Sequence, residues 1–277
     1  MQGGYLVFFS AKLSTSWQIF KASARVLRSR KELAVFPILS GLTIFLTGFA
    51  MVLVAALLLP TGSDTLPPTF YPLIVVAYFV LAYMAIFWQA ALISQANVAL
   101  EGGDPSVAGG IGAAAQRGAR LIPWTLISGV VSWVLSEIED RVPFIGRLLD
   151  VAWRVISFQV LPTIVLEDLS TIETIKKTKD TLKRSWGDNV IGVVGLGLFS
   201  ALLVLPGAAL VYLGASLWTT VVTPVLLALG ALLIVAAVVI GSALTGIFQT
   251  ALYRFTVDGH VPGPFAGIDL NQALRTR

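Results

Sequence analysis

A basic segment that continues directly into a long apolar run is the feature that most constrains this chain. Residues 171–187 carry five Lys and Arg side chains, and an apolar run follows at 190–214. An apolar helix of about 20 residues is long enough to cross the roughly 30 Å hydrocarbon core of a bilayer. A basic amphipathic helix lies along a bilayer surface. The pair therefore predicts a membrane span that follows a basic cytoplasmic helix on one membrane face.

The same arrangement opens the chain, where a basic segment at 14–30 precedes an apolar run. Its charges lie opposite a largely apolar face, as in an interfacial helix. This predicted face consists of Leu13, Trp17, Phe20, Ala24 and Leu27. Packing of the same helix on its own bundle is the alternative. All the predicted spans together are about 33–59, 71–98, 121–138, 142–166, 190–214 and 221–252.

Composition supports a membrane protein. Only 12% of the residues are charged, whereas soluble domains carry roughly 25%. The apolar runs lack the strand-like alternation of an outer-membrane barrel. We therefore predict an all-α membrane protein with a single domain over residues 1–277. It is a six-span helical bundle with two basic amphipathic interfacial helices and a polar tail at 253–277.

The distribution of Lys and Arg predicts the topology. With the N-terminus inside, sixteen of the 19 Lys and Arg residues fall on the inner side. Cytoplasmic segments are enriched in these residues. We therefore expect a multi-pass protein of the cell (inner) membrane with both termini in the cytoplasm.

The basic helices predict contacts with anionic headgroups. The Ser170-x-x-Glu173 pattern is a capping box that favours a helix start at this point. Its apolar side comprises Ile172, Ile175, Leu182 and Trp186. Docking of an acidic cytoplasmic protein is the alternative. The residues predicted to contact headgroups or a partner are Lys21, Arg25, Arg28, Lys176, Lys177, Lys183 and Arg184.

No catalytic signature is found in the sequence. The chain has no cysteine, and its one histidine, His260, has no evident nucleophile partner. We expect no enzyme activity, no metal site and no cofactor. Because the positive charge lies beside apolar spans, it indicates lipid and not nucleic acid.

Charged residues near the third and fourth runs form a candidate cluster. Its members are Glu137, Asp140, Arg147, Asp150 and Arg154. A hairpin that turns near Pro143 is expected to set Glu137 and Asp140 against Arg147. Ionisable residues at membrane depth mark functional sites, so a polar vestibule or ion pathway is one interpretation. The other is a short hairpin with its charges at headgroup level, favoured because 121–136 forms only about 24 Å of helix.

Amide side chains form a second candidate set, comprising Gln89, Gln95, Asn97, Gln159 and Gln249. Amides within a bundle bond between helices and hold their register. The alternative is that they line a substrate path.

Two short polar segments indicate a loose internal repeat. Residues 98–105 and 255–262 both place an acidic residue, a glycine and a proline at matching offsets after a pair of spans. This pattern is compatible with a parallel duplication. The alternative is that both are common turns.

Several stretches carry a resemblance to a known family. They are SW at 16–17, KEL at 31–33, FPILSG at 36–41, LEGGDP at 100–105, VLP at 160–162 and SWG at 185–187. The chain resembles an uncharacterised family of prokaryotic six-span membrane proteins, which implies the fold but no activity or site residue. In outline it is also similar to sulfate-permease-like proteins, a likeness of architecture only.

The function that these features favour is that of a non-enzymatic membrane protein, either a homo-oligomer or an accessory subunit of a membrane complex. A channel or secondary transporter for a small ion or solute is the alternative. In that case the charge cluster and the amides would line the path.

Overall fold

Helices account for the secondary structure of the described residues, which are 17–58, 67–167, 169–217, 222–258 and 262–266 of a computed structural model. No strand occurs among them. The helices are α1 at 17–29, α2 Val35–Leu58, α3 Phe70–Leu100, α4 Val107–Gln116, α5 Gly118–Arg141, α6 Pro143–Leu166, α7 Thr171–Leu217 and α8 Val222–Asp258. Short 3-10 helices form at Lys31–Ala34 and Gly263–Phe265.

Six of these helices are long and apolar enough to cross a membrane. They lie at Lys31–Leu58, Phe70–Leu100, Gly118–Arg141, Pro143–Leu166, Phe199–Leu217 and Val222–Val257. The prediction of an all-α, six-span membrane fold is confirmed. α5 and α6 each have 24 residues, or about 36 Å of helix. The 24 Å expected for the third run was too short, because the helix continues through the charged residues at its end.

The basic helix and the fifth span form one helix, whereas the sequence predicted two. α7 runs for 47 residues, or about 70 Å. The predicted capping box starts it: Glu173 N donates to Ser170 Oγ (3.3 Å) and Ser170 N donates to Glu173 Oε2 (3.0 Å). Gly187 does not interrupt the helix, because a single glycine costs only about 1 kcal/mol in a helix interior.

α1 packs on the bundle, which was the alternative to a purely interfacial helix. Its buried residues are Ile19, Ala22, Ser23 and Val26. The predicted aromatic face lies to one side of them, and Trp17 is 43% exposed. The small side chains of Ala22 and Ser23 allow close approach to neighbouring helices, which outweighs the greater hydrophobicity of Trp17. Residues 13–16 lie outside the described part.

The spans form three antiparallel hairpins, α2/α3, α5/α6 and α7/α8. They meet at one end of the molecule, where α3, α6 and α8 finish and α5 and α7 begin. The core there includes Phe36, Ile93, Leu121, Ile164 and Phe248, each no more than 1% exposed. We call this the basic end, because α1 and the start of α7 belong to it.

The opposite half of the spans is much less packed. We call it the far half and define it as 42–58, 70–80, 130–141, 143–154, 201–217 and 222–236. Its only buried residues are the glycines Gly146, Gly207, Gly214 and Gly230. At Gly207 and Gly230 the α7 and α8 backbones approach so closely that a Cβ at either position would lie 2.8 Å from the other glycine's carbonyl oxygen.

α3 and α8 lie in parallel, and their contacts centre on an offset of 157 residues. Asn97 Oδ1 accepts a hydrogen bond from Arg254 Nε, 157 residues later. The same offset superposes segment 98–105 on 255–262. Two further contacts lie three residues to either side of this offset. Gln89 bonds to Gln249, 160 residues later, and Leu92 contacts Gly246, 154 residues later. The contacts therefore have the approximate two-fold symmetry expected of a parallel duplication.

Candidate functional site

The predicted charge cluster lies around the turn between α5 and α6. Arg141 pairs with Glu137 (2.6 Å), and Arg154 pairs with Asp150 (2.7 Å). The predicted pairing of Arg147 with Glu137 and Asp140 was wrong, because Arg147 Nε donates to Glu139 Oε1 (3.2 Å). Gly146 brings α6 so near to α5 that a Cβ there would lie 2.6 Å from Glu139 N. Because of this close approach, Arg147 pairs with Glu139, which was not among the residues predicted from the sequence.

The side chains of this cluster are exposed. Those in the three ion pairs are at least 33% exposed, and Asp140 is exposed as well. Exposed ion pairs contribute about 0.2–1 kcal/mol each in water. Most of the charges are therefore neutralised by a neighbour. Of these three ion pairs, that of Arg147 with Glu139 joins α6 to α5, and the other two lie within one helix each.

Several of the predicted amides, including Gln89, Gln95 and Gln249, make hydrogen bonds across elements. Gln89 Nε2 donates to Gln249 Oε1 (3.0 Å), and Gln249 Nε2 donates to the Phe158 carbonyl oxygen (2.7 Å). These bonds join α3, α8 and α6. Gln95 Oε1 accepts from Ser106 N (2.8 Å) at the start of α4. Gln159 is buried in α6. This geometry matches the register-holding interpretation of the amides.

Glu167 joins three helices at the basic end, including the helix that follows it, which the sequence indicated as a contact for the acidic residues at 167–168. Lys177 Nζ of α7 donates to both of its carboxylate oxygens (2.7 and 2.6 Å). Tyr253 Oη of α8 donates to Glu167 Oε1 (2.6 Å). Nothing local to 167 in the sequence identifies partners 10 and 86 residues away. Nearby, Arg254 pairs with Glu101, and Arg30 with Asp104 (2.6 Å).

Those predicted headgroup-contact residues whose side chains the structure describes are exposed at the basic end. Lys21 Nζ lies 5.2 Å from the Trp17 ring centroid, and Arg25 donates to the Pro264 carbonyl oxygen (3.0 Å). Arg28 and Lys176 are exposed. Lys177 forms an ion pair with Glu167. The side chains of Lys183 and Arg184, and those of Leu182 and Trp186, lie outside the described part.

The apolar side predicted for the start of α7 differs from the buried one. Thr171, Thr174 and Thr178 are buried, whereas Ile172 is 65% exposed. Thr171 Oγ1 donates to the Arg120 carbonyl oxygen (3.0 Å). The threonines pack closely against the bundle because they are smaller than isoleucine.

A cleft of about 550 Å³ lies between α2, α3, α7 and α8. Its lining is mainly apolar, and this volume falls within the range of small-molecule sites. Polar groups come from all four helices: Ser40, Gln89, Ser200, Ser242 and Thr245. None of the five charged hairpin residues lines it. The sequence reasoning included only Gln89, because scattered Ser and Gly residues on four separate helices carry no local signal.

The fold defines the class of this protein: it is an integral, multi-pass membrane protein of six helical spans. Residues 68–263 match the family of unknown function DUF6159, so the chain belongs to that family. The prediction of an uncharacterised family is confirmed. The matched range includes the motifs at 100–105, 160–162 and 185–187 and begins after those at 16–41. A comparison with curated proteins finds no match.

Proposed function

We propose that this protein is a non-enzymatic subunit of a membrane assembly, formed either by copies of the chain or with another membrane protein. One observation carries the proposal. The far half of the six spans has only glycines buried, so its large apolar side chains have little packing within the chain.

The exposed apolar surface of α2 illustrates the argument. Phe36, near the helix start, is its one buried residue, while Phe49, Leu53 and Leu57 are 61%, 51% and 77% exposed. Lipid can cover such a surface, but helices in membranes gain stability from packing with other helices. A second protein surface would supply in the far half the packing that the core supplies at the basic end.

The distribution of Lys and Arg favours an orientation with the basic end on the cytoplasmic side of the membrane. Arg25 lies against Pro264, so the described segments nearest the two termini share one end of the bundle. This is also the end that carries α1 and the start of α7. By the excess of Lys and Arg there, the basic end faces the cytoplasm of the cell (inner) membrane and contacts anionic lipid.

Native mass tests the proposal. The protein is extracted from its own membranes into lipid nanodiscs without detergent, and the mass and composition of the particles are measured. We expect a defined complex, and strictly monomeric particles would contradict the proposal. Simultaneous Phe49→Ala, Leu53→Ala and Leu57→Ala changes should reduce the complex. Ile172→Ala, an exposed apolar residue at the basic end, is the matched control and should not.

A channel or secondary transporter is the second candidate, and the cleft is the observation in its favour. Transporters with internal repeats bind substrate where the repeats meet. A path through the cleft predicts that Gly197→Leu reduces ion or solute flux in proteoliposomes. A path along the hairpin predicts instead that Arg154→Leu changes it. Unchanged flux in both variants, or no flux for any solute tested, removes this candidate.

A further inference from the structure

The cleft between α2, α3, α7 and α8 is open space that two glycines preserve. A Cβ built at Gly41 or at Gly197 meets no other atom of the described residues within 4 Å. These glycines therefore do not serve close helix packing, unlike Gly207 and Gly230. Both are exposed, so the cleft is accessible from the side of the bundle.

The cleft lies between the first pair of spans, α2 and α3, and the last pair, α7 and α8. The register of 157 residues between α3 and α8 relates three pairs of lining residues. These are Ser40 with Gly197, Ala85 with Ser242, and Trp88 with Thr245. Binding sites in membrane proteins with internal repeats form at this kind of interface.

The lining suits a ligand that is mostly hydrocarbon with a few oxygen atoms. Leu92, Val204 and Val238 provide apolar surface. A few hydroxyl and amide groups are added to this surface by Ser40, Gln89, Ser242 and Thr245. A small number of polar groups orients a ligand in a mainly apolar site.

Positive charge borders the cleft through α1. Phe199, next to Ser200, contacts the rings of Trp17 (5.4 Å) and Phe20 (5.5 Å). Lys21 lies over the Trp17 ring. Arg25 and Arg28 follow Lys21 along the same exposed edge of α1. A ligand with its chain in the cleft can therefore place an anionic group near this edge.

We propose that the cleft binds a hydrocarbon chain of an anionic phospholipid, whose phosphate contacts the edge of α1 formed by Lys21, Arg25 and Arg28. The site is specific, in contrast to the general contact between the spans and surrounding lipid. It does not depend on the assembly proposed above, since its residues all come from one chain.

Photocrosslinking tests this site. The full chain is placed in phosphatidylcholine vesicles that contain a trace of phosphatidylglycerol with a photoreactive diazirine in its acyl chain. A parallel sample contains phosphatidylcholine with the same reactive chain. Peptide mass spectrometry then locates the label. We expect phosphatidylglycerol to label the cleft segments of α7 and α8 at least about fivefold more than phosphatidylcholine does, because each nearby Lys or Arg attracts an anionic lipid.

Two blocking variants and one control identify the cleft as the site. Gly41→Leu and Gly197→Leu should each fill it without a steric clash and abolish the preferential labelling. Gly48→Leu lies two turns further along α2, also in open space, and should leave the labelling unchanged. Combined Lys21→Gln, Arg25→Gln and Arg28→Gln changes should reduce phosphatidylglycerol labelling to the phosphatidylcholine level. Circular dichroism checks that each variant keeps its helical content.

Three results would overturn the proposal. The first is equal labelling of the cleft by both lipids. The second is labelling that Gly41→Leu and Gly197→Leu reduce no more than Gly48→Leu does. The third is preferential labelling by phosphatidylglycerol that the combined Lys21→Gln, Arg25→Gln and Arg28→Gln changes leave unchanged.

Discussion

The two ends of the six-span bundle are built in different ways. At the basic end, side chains from α1, α2, α3, α5, α6 and α8 form a continuous core. Hydrogen bonds of amide side chains and the ion pair of Glu167 with Lys177 also join the helices there. In the far half, the chain buries only glycines. The difference indicates that the basic end holds the fold together, and that the far half is the surface available to lipid or to another protein.

The largest effect should come from truncating a core side chain at the basic end. Phe248 is 1% exposed, and its ring lies 5.8 Å from that of Phe158. We expect Phe248→Ala to reduce the free energy of unfolding by about 3–5 kcal/mol, measured by denaturing detergent titration with circular dichroism. The control, Phe49→Ala, removes a 61% exposed ring and should cost less than about 1 kcal/mol in the monomer. Equal losses would remove the distinction between the two ends.

The next effect concerns the close contact between α7 and α8 in the far half. Gly230→Leu would place a Cβ 2.8 Å from the Gly207 carbonyl oxygen and 2.9 Å from Val211 N. Because these are backbone atoms, α7 and α8 must move apart, at a cost of about 1–3 kcal/mol. The same unfolding titration measures it. Gly48→Leu, in open space, should be neutral, and a larger loss in that control would contradict the account.

A smaller effect should distinguish the ion pairs of the two ends. The Glu167 side chain is 17% exposed and holds both Lys177 and Tyr253. We expect Glu167→Gln to cost about 1–2 kcal/mol, because charged hydrogen bonds in a partly buried site are lost. Glu139→Gln, which breaks the exposed pair with Arg147, should cost less than about 1 kcal/mol. The free energies of unfolding of the two variants test this prediction. A larger loss for Glu139→Gln than for Glu167→Gln would contradict it.

The smallest effect should come from the helix cap that starts α7. Hydrogen bonds from the Ser170 hydroxyl and then from its backbone N–H lower the pKa of Glu173 below the usual 4.5. The stabilisation is therefore complete above pH 4.5 and is lost as the pH falls through the lowered value. Ser170→Ala should cost about 1 kcal/mol or less near pH 7 and should weaken this acid dependence. Unfolding at several pH values measures both, and an unchanged profile would contradict the assignment.

The spans could be predicted from the sequence because lipid imposes a simple rule. A helix that crosses hydrocarbon needs about 20 apolar residues, whatever its neighbours are. Runs such as 33–59 and 221–252 therefore define their helices alone. The capping box at Ser170 and Glu173 could also be predicted, because it depends on two side chains only three residues apart.

The buried faces could not be predicted, because lipid removes the usual link between hydrophobicity and burial. Large apolar side chains are as stable in lipid as in a core, so close packing selects small or hydroxyl residues. Within the spans, Gly207 and Gly230 are buried, while Phe49 and Leu57 are exposed. For the same reason the cleft, which depends on Ser and Gly residues of four helices, was not predicted.

The most direct test of the central claim is the oxygen accessibility of spin labels along α2. The chain has no cysteine, so single cysteines at positions 42–57 can each carry a label. Oxygen dissolves in lipid and reaches labels that face it. In a single chain, one face of α2 packs on α3 and the opposite face, at 49, 53 and 57, is exposed. In the native complex we expect low oxygen accessibility at 49, 53 and 57 as well, because a second protein surface covers them. High accessibility at these three positions would show that lipid covers this face of α2, and would contradict the proposed assembly.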